Sequence, residues 1–331
     1  MSILSIQDLT VDFKSMEGGL RAVDHASFSI APGRTTALVG ESGSGKTVIS
    51  QAIMGILPTA ARITEGKILF RDPADGVETD IARLDPGGRR MRDLRGNRVG
   101  IVFQEPMTSL SPLHTVGDQI GEAARLHLGL TGEQARAATR DMLRLVQFPD
   151  PERALDTYPF ELSGGLRQRA VIAMALICRP ALLIADAPTT ALDVTVQAQI
   201  LSLLDDLRRD RGLAIVFITH DFGVVGQLCD RVAVMYAGRI VEEGPTQAVL
   251  DAPAHPYTRR LIACVPELGQ GRRRLEAIPG LPPAVDKLPE GCAFAPRCAK
   301  AQPLCRKGEI TLDRKTAARA VRCLYPEEAL T

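Results

Sequence analysis

Eight consecutive residues, Gly40-Glu41-Ser42-Gly43-Ser44-Gly45-Lys46-Thr47, fit the spacing GxxxxGK[ST]. Glycines at Gly40, Gly43 and Gly45 let backbone N–H groups, with those of Ser42 and Ser44, curl around phosphate oxygens. Lys46 supplies a charge that reaches β- and γ-phosphates, and the Thr47 hydroxyl suits Mg²⁺. A carboxylate complements them. Asp186 closes the apolar run Leu182-Leu183-Ile184-Ala185, and the carboxyl end of a core strand is where such sheets hold ligands. The chemistry implied is nucleotide phosphate binding with Mg²⁺. A second group of reactive side chains lies in the last 40 residues. Cys292, Cys298, Cys305 and Cys323 are spaced C-x5-C-x6-C-x17-C, while Cys178, Cys229 and Cys264 are scattered. Four thiolates suit a tetrahedral Zn²⁺ or a [4Fe–4S] cluster, and spacing alone does not choose between them.

These residues need particular elements to position them. Thr36-Ala37-Leu38-Val39 is a short apolar strand entering the glycine turn, and the helix that follows is expected to run to about Leu57, where Pro58 stops it. Alternating segments in the first 30 residues, joined by Gly66 to Phe70, predict an antiparallel sheet. Val99 to Phe103 reads as a buried strand. The text from about Glu105 to Leu162 reads as helical, most clearly the amphipathic stretch Glu133 to Val146. Leu182–Ala185 and Ala214–Ile218 are strands separated by a helix over Gln197–Arg208, the pattern of a parallel α/β sheet. Val232–Tyr236 and Arg239–Val241 read as a hairpin around Ala237-Gly238. Beyond about His255 proline and arginine become dense, which places a boundary between residues 1–255 and 256–331.

Composition narrows the partners. A net charge of +1 gives no electrostatic footprint for nucleic acid, and the basic run Arg272-Arg273-Arg274 reads as a solvated loop. The longest apolar run, Ala170 to Cys178, is far short of the roughly 20 residues a spanning helix needs. The N-terminus lacks a basic region and reads as a strand rather than a signal peptide. The expected location is cytoplasmic, with any membrane role exerted through partners.

Further motifs give a family resemblance. Leu162-Ser163-Gly164-Gly165-Leu166-Arg167-Gln168 resembles the ABC signature, Gln104 the Q-loop glutamine, Ala191-Leu192-Asp193 the D-loop, and His220 the switch histidine. Phe13 stands where an aromatic stacks on adenine, though a core phenylalanine fits nearly as well. Order and spacing match the ABC ATPases over roughly residues 1 to 250. FQEPMTSLSPLHTVGDQI, DAPTTALDVTVQAQIL, AHPYTRRLI and the cysteine-bearing tail resemble the dipeptide, oligopeptide and nickel importer subfamily. The resemblance implies a RecA-like P-loop core with an antiparallel β subdomain, a helical subdomain over about 105–175 and a small irregular extension. It implies ATP and Mg²⁺, with Ser163, Gly164 and Gly165 acting in trans on ATP held by a partner. It implies two transmembrane permease subunits, a second related ATP-binding subunit or a copy of this one, and an extracytoplasmic solute-binding protein. The place of work would be the cytoplasmic face of the inner membrane. For the tail the resemblance favours a [4Fe–4S] cluster over Zn²⁺. A soluble ATPase of repair or translation is the rival class, but the paired cassettes, coiled-coil insertion or basic surfaces usual there are not seen.

One position departs from the family. Members carry glutamate after the Mg²⁺-binding aspartate, and here the text reads Asp186-Ala187-Pro188. Ala187 has no group to orient water or accept a proton, while Gln104, Asp193 and His220 are intact. The loss reads either as the natural inactive half of an asymmetric pair or as a deliberate substitution that traps the ATP-bound dimer. An isolated loss in an otherwise complete site favours the second.

Overall fold

A computed structural model describes residues 1–15, 18–105, 109–189, 192–264, 278–316 and 318–327. Ala191 of the D-loop text and the arginine run at 272–274 lie outside the described residues. In chain order the strands are β1 (Leu4–Ser15), β2 (Gly18–Ile30), β3 (Thr35–Val39), β4 (Ala61–Arg71), β5 (Glu78–Asp80), β6 (Val99–Val102), β7 (Leu182–Asp186), β8 (Ala214–Thr219), β9 (Arg231–Tyr236), β10 (Arg239–Pro245), β11 (Asp313–Thr316) and β12 (Arg319–Val321). The first sheet has the order β2-β1-β4-β5, and the pairings are antiparallel. The second has the order β11-β12-β10-β9-β3-β8-β7-β6. Its middle, from β9 through β3, β8 and β7 to β6, is parallel.

Strand periodicity explains the layering. Every residue of β3, β7 and β8 is buried, as expected of parallel strands covered on both faces. Successive side chains point to opposite faces. Leu182, Ile184, Val216 and Ile218 therefore pack with Leu4, Ile6 and Ile68 of the antiparallel sheet. Leu183, Ala185, Ile215 and Phe217 pack with Val171, Leu204 and other helical residues on the opposite side.

Helix ends follow local chemistry. Helix α1 (Lys46–Met54) stops three residues before the expected Leu57, because Gly55 adopts φ 61° and its N–H turns back to Ala52 and Gln51. Helices α2 (Val116–Leu128) and α3 (Gly132–Leu145) are capped by Thr115 and by a Thr131–Gln134 capping box. Helix α4 (Gly164–Leu176) starts at the Ser163 cap. Helix α5 (Val194–Arg211) starts earlier than the expected Gln197 because the Asp193 carboxylate accepts from Val196 N–H at 2.9 Å. Among the described residues no helix is long and apolar enough to cross a membrane.

The tail is joined to the second sheet by β12, which pairs antiparallel with β10 through Glu242↔Val321 and Glu243↔Ala320. Glu242 is fully buried. Its carboxylate accepts from the N–H groups of Ala254 and His255, both at 2.9 Å, and from Arg319 at 2.6 Å. Arg319 also donates to the Ala252 carbonyl. Arg319→Ala would leave a buried carboxylate without its counter-charge, a loss of about 3–5 kcal/mol. Urea unfolding of the variant and the parent protein checks it, and a change under about 1 kcal/mol would show that the pair contributes little.

Candidate nucleotide-binding site

The glycine-rich turn runs from the carboxyl end of β3 into α1. Two glycines are forced by crowding. A Cβ on Gly40 would lie 2.2 Å from the Met235 carbonyl oxygen. Gly45 has φ +105°, and a Cβ there would meet the Ala22 carbonyl oxygen at 2.7 Å. The turn thus presses against β2 and β9, and its shape is fixed by backbone on both sides. Lys46 closes the turn from within: its Nζ donates to the carbonyls of Gly40 and Glu41, both at 2.8 Å, and to Ser44 Oγ at 3.1 Å.

Asp186, at the end of β7, is buried. Its Oδ2 accepts from Ser50 Oγ at 3.4 Å, and Thr47 is a second hydroxyl partner. Burial pushes this carboxyl above the usual carboxylate range, against the opposing pull of Thr47, Lys46 and Ser50. Burial also pushes the Lys46 ammonium down to about 8, against the pull of Asp186 and Glu41. Two opposite charges are thus held short of solvent where a polyanion and a dication would satisfy both.

The turn, Asp186, Ala187, Gln104 and His220 all line one open cavity of about 1020 Å³. Ala187 follows Asp186 with φ +46°, and its N–H donates to the Ile218 carbonyl at 2.9 Å. That bond fixes residue 187 on the cavity wall. The other expected residues stand elsewhere. Ser163 and Asp193 cap α4 and α5, and neither lines the cavity. Gly164 opens α4 in free space. A Cβ on Gly165 would meet Val196 Cγ1 at 2.9 Å, so this glycine lets α4 approach α5. Phe13 is half-buried in the core of the antiparallel sheet and is absent from the cavity wall.

Residues with no motif to mark them complete the wall. Leu261 and Cys264, at and just beyond the end of the helix Pro256–Ala263, and Ile278 line the cavity beside Glu41. The Glu41 N–H donates to Tyr257 Oη at 2.9 Å, and its carboxylate accepts from Arg297 at 2.7 and 3.0 Å. Glu41 and Ser42 occupy variable positions of the motif, and Arg297 is more than 250 residues away, so sequence spacing gave no signal.

The four tail cysteines line a separate cavity of about 20 Å³ with His255, Phe294 and Ile310. All four are free thiols of intermediate exposure. Burial pushes the Cys323 thiol up to about 11 and that of Cys292 upward as well. Thiols facing one space fit the donor chemistry of thiolate-bound metal. Among the described residues, no group of three or more His, Cys, Asp or Glu stands arranged to hold a metal ion.

Comparison with known proteins agrees with this geometry. Residues 23–190 match the ABC transporter family, and residues 241–305 match the C-terminal region of oligopeptide/dipeptide transporters. A putative peptide import ATP-binding protein of Brucella ovis is 47% identical, over 98% of each chain. The dipeptide transport ATP-binding protein DppD of Escherichia coli is 44% identical over 98% of this chain and 97% of its own. Among solved structures, a dimeric post-hydrolysis state of the ATP-binding cassette MJ0796 bound to ADP and Pi superposes with a TM-score of 0.64 at 27% identity. That match covers 73% of this chain and 98% of the cassette. The chain belongs to the ATP-binding subunits of ABC transporters, in the group that carries the oligopeptide/dipeptide C-terminal region. Its core is a P-loop NTPase fold, and ATP with Mg²⁺ is the ligand pair expected of it.

The Lys46 environment gives ATP binding a pH dependence. Below about pH 8 the free site already carries the ammonium charge. Above it, ATP must draw a proton from solution to restore that charge. ATP affinity is expected to be level below about pH 8 and to fall by up to about tenfold per pH unit above it. Calorimetric titration at pH 9 in buffers of different ionisation enthalpy should show proton uptake. No uptake there would mean that Lys46 keeps its proton without ATP.

Proposed function

We propose that this chain is the ATP-binding motor subunit of an importer for peptides or related small solutes. The observation that carries the reading is the single cavity joining the glycine turn, Asp186, Gln104 and His220, on a chain whose tail matches the oligopeptide/dipeptide transporter region. On this reading the backbone N–H groups of the turn and the Lys46 ammonium bind the phosphates. Thr47 and Asp186 would hold Mg²⁺, with Gln104 near it. His220, on the same cavity wall, would contact the γ-phosphate. Ser163, Gly164 and Gly165 open α4 as a second anion cradle, for ATP held on a partner subunit. That role is supported by their position off the chain's own cavity. Residues 1–255 form the cassette and 256–331 the extension. The partners are two permease subunits, a second related ATP-binding subunit or a copy of this one, and an extracytoplasmic binding protein. The chain works peripherally at the cytoplasmic face of the membrane.

Binding and closure need no group at residue 187, but the chemical step does. Ala187 puts no carboxylate at the point of the wall that follows Asp186, where the family resemblance implies the water-orienting group. ATP should therefore bind normally and turn over slowly, with the closed, loaded state accumulating. Ala187→Glu puts a carboxylate at the wall and should raise steady-state ATPase activity of the assembled complex by at least about tenfold, set below the roughly 10²–10⁴-fold of a positioned base. Rapid turnover with Ala187 in place would overturn this assignment, and unchanged low activity after restoration would place the defect elsewhere.

Cys292, Cys298, Cys305 and Cys323 are the proposed ligands of a [4Fe–4S] cluster, with a single Zn²⁺ as the alternative. The reading is supported by the family resemblance and by the donor chemistry of four thiols that line one small cavity, not by a ligand set formed among the described residues. The group would cross-link a tail with a small core of its own. Anaerobically purified protein should be brown, with broad absorption near about 400 nm, and Cys298→Ser should bleach it. A colourless protein with stoichiometric zinc would overturn the iron assignment.

A further inference from the structure

We propose that Arg297 of the C-terminal extension is a positioning residue for nucleotide binding, holding the Glu41 carboxylate off the phosphate site so that Lys46 stays free for phosphate. This rests on the nucleotide site described above and does not depend on what the cysteines hold. The problem it solves is electrostatic. Glu41 puts a carboxylate inside a loop whose task is to bind a polyanion, five residues from the lysine that must meet that anion. Left to itself, such a carboxylate would repel the phosphates and compete for the ammonium.

The geometry opposes both effects, leaving Glu41 only a through-space pull on Lys46. Both carboxylate oxygens of Glu41 are taken by the Arg297 guanidinium, at 2.7 and 3.0 Å, the paired arrangement that fixes direction as well as charge. Lys46 Nζ contacts only carbonyl and hydroxyl oxygens, neutral acceptors that phosphate oxygens readily replace. Arg297 is itself immobilised. Its side chain is 4% exposed, it donates to the Pro279 carbonyl at 3.0 Å and to Tyr236 Oη at 3.2 Å, and it lies 5.8 and 5.9 Å from the Tyr236 and Phe294 ring centres. The backbone of Glu41 is held as well, by Tyr257 Oη. The extension therefore fixes both ends of one residue of the phosphate loop.

Calorimetric titration of the full-length protein with Mg-ATP tests this, using Arg297→Ala, Arg297→Lys, Lys46→Ala and the double variant Arg297→Ala/Glu41→Gln. Arg297→Ala should weaken ATP binding by about tenfold or more, the scale of an uncompensated buried charge. The double variant should bind ATP more tightly than Arg297→Ala alone, because no carboxylate is left to hold away. Arg297→Lys should fall between, since an ammonium cannot span both oxygens. An arginine that merely supported the fold would lose affinity equally with or without Glu41. Equal loss in the single and double variants, or ATP binding by Arg297→Ala as tight as the parent, overturns the proposal. Should Arg297→Ala fail to fold, Arg297→Lys carries the same comparison, and its loss must be relieved by Glu41→Gln. If the parent and Lys46→Ala bind ATP equally, the nucleotide site itself is misassigned, which is a separate outcome.

Discussion

The constraint on which the rest depends is the desolvation of two opposite charges at the ends of adjacent elements. Lys46 opens α1 and Asp186 ends β7, and both are pushed toward neutrality by burial. Neither is stabilising as it stands, since burying a charge costs more than a partial partner returns. The buried apolar contacts between the parallel strands and the antiparallel sheet offset that cost. Triphosphate and Mg²⁺ would supply the missing counter-charges, so the energy held there is recovered on binding.

Holding those charges requires the backbone to come very close. Gly40 and Gly45 have no room for a side chain against β9 and β2, and parallel pairing of β3 with β8 and of β8 with β7 brings their carboxyl ends to one edge. Residue 187 follows in a left-handed conformation pinned by the Ile218 carbonyl. The place of Ala187 on the wall is thus held by a main-chain hydrogen bond.

The extension is built into the cassette by charge as well as by strand pairing. Arg319 neutralises the buried Glu242 between β10 and β12, and Arg297 meets Glu41 in the phosphate loop. Tyr236, Tyr257 and Phe294 pack, tilted and edge-on, into one aromatic group that links β9, the helix Pro256–Ala263 and the tail. The four-cysteine cavity is lined by the same Phe294 and by Cys298, the residue after Arg297.

Much of this was legible in the sequence because it is local. The glycine turn and the apolar core strands are written in neighbouring residues, and their conformations follow from short-range sterics and hydrogen bonding; the Asp193 cap is equally local but goes unread, so the helix is expected only from Gln197. The missing glutamate at Ala187 is likewise a one-position observation. What only the tertiary structure decided is long-range. It set Phe13, half-buried against the core of the antiparallel sheet, through the register of β1 with β2 and β4. It gathered four cysteines, with up to 17 residues between one and the next, onto one small cavity. It brought Tyr257, Ile278 and Arg297 to a loop more than 200 residues earlier. Such pairings depend on the path of the whole chain, and no periodicity or spacing encodes them.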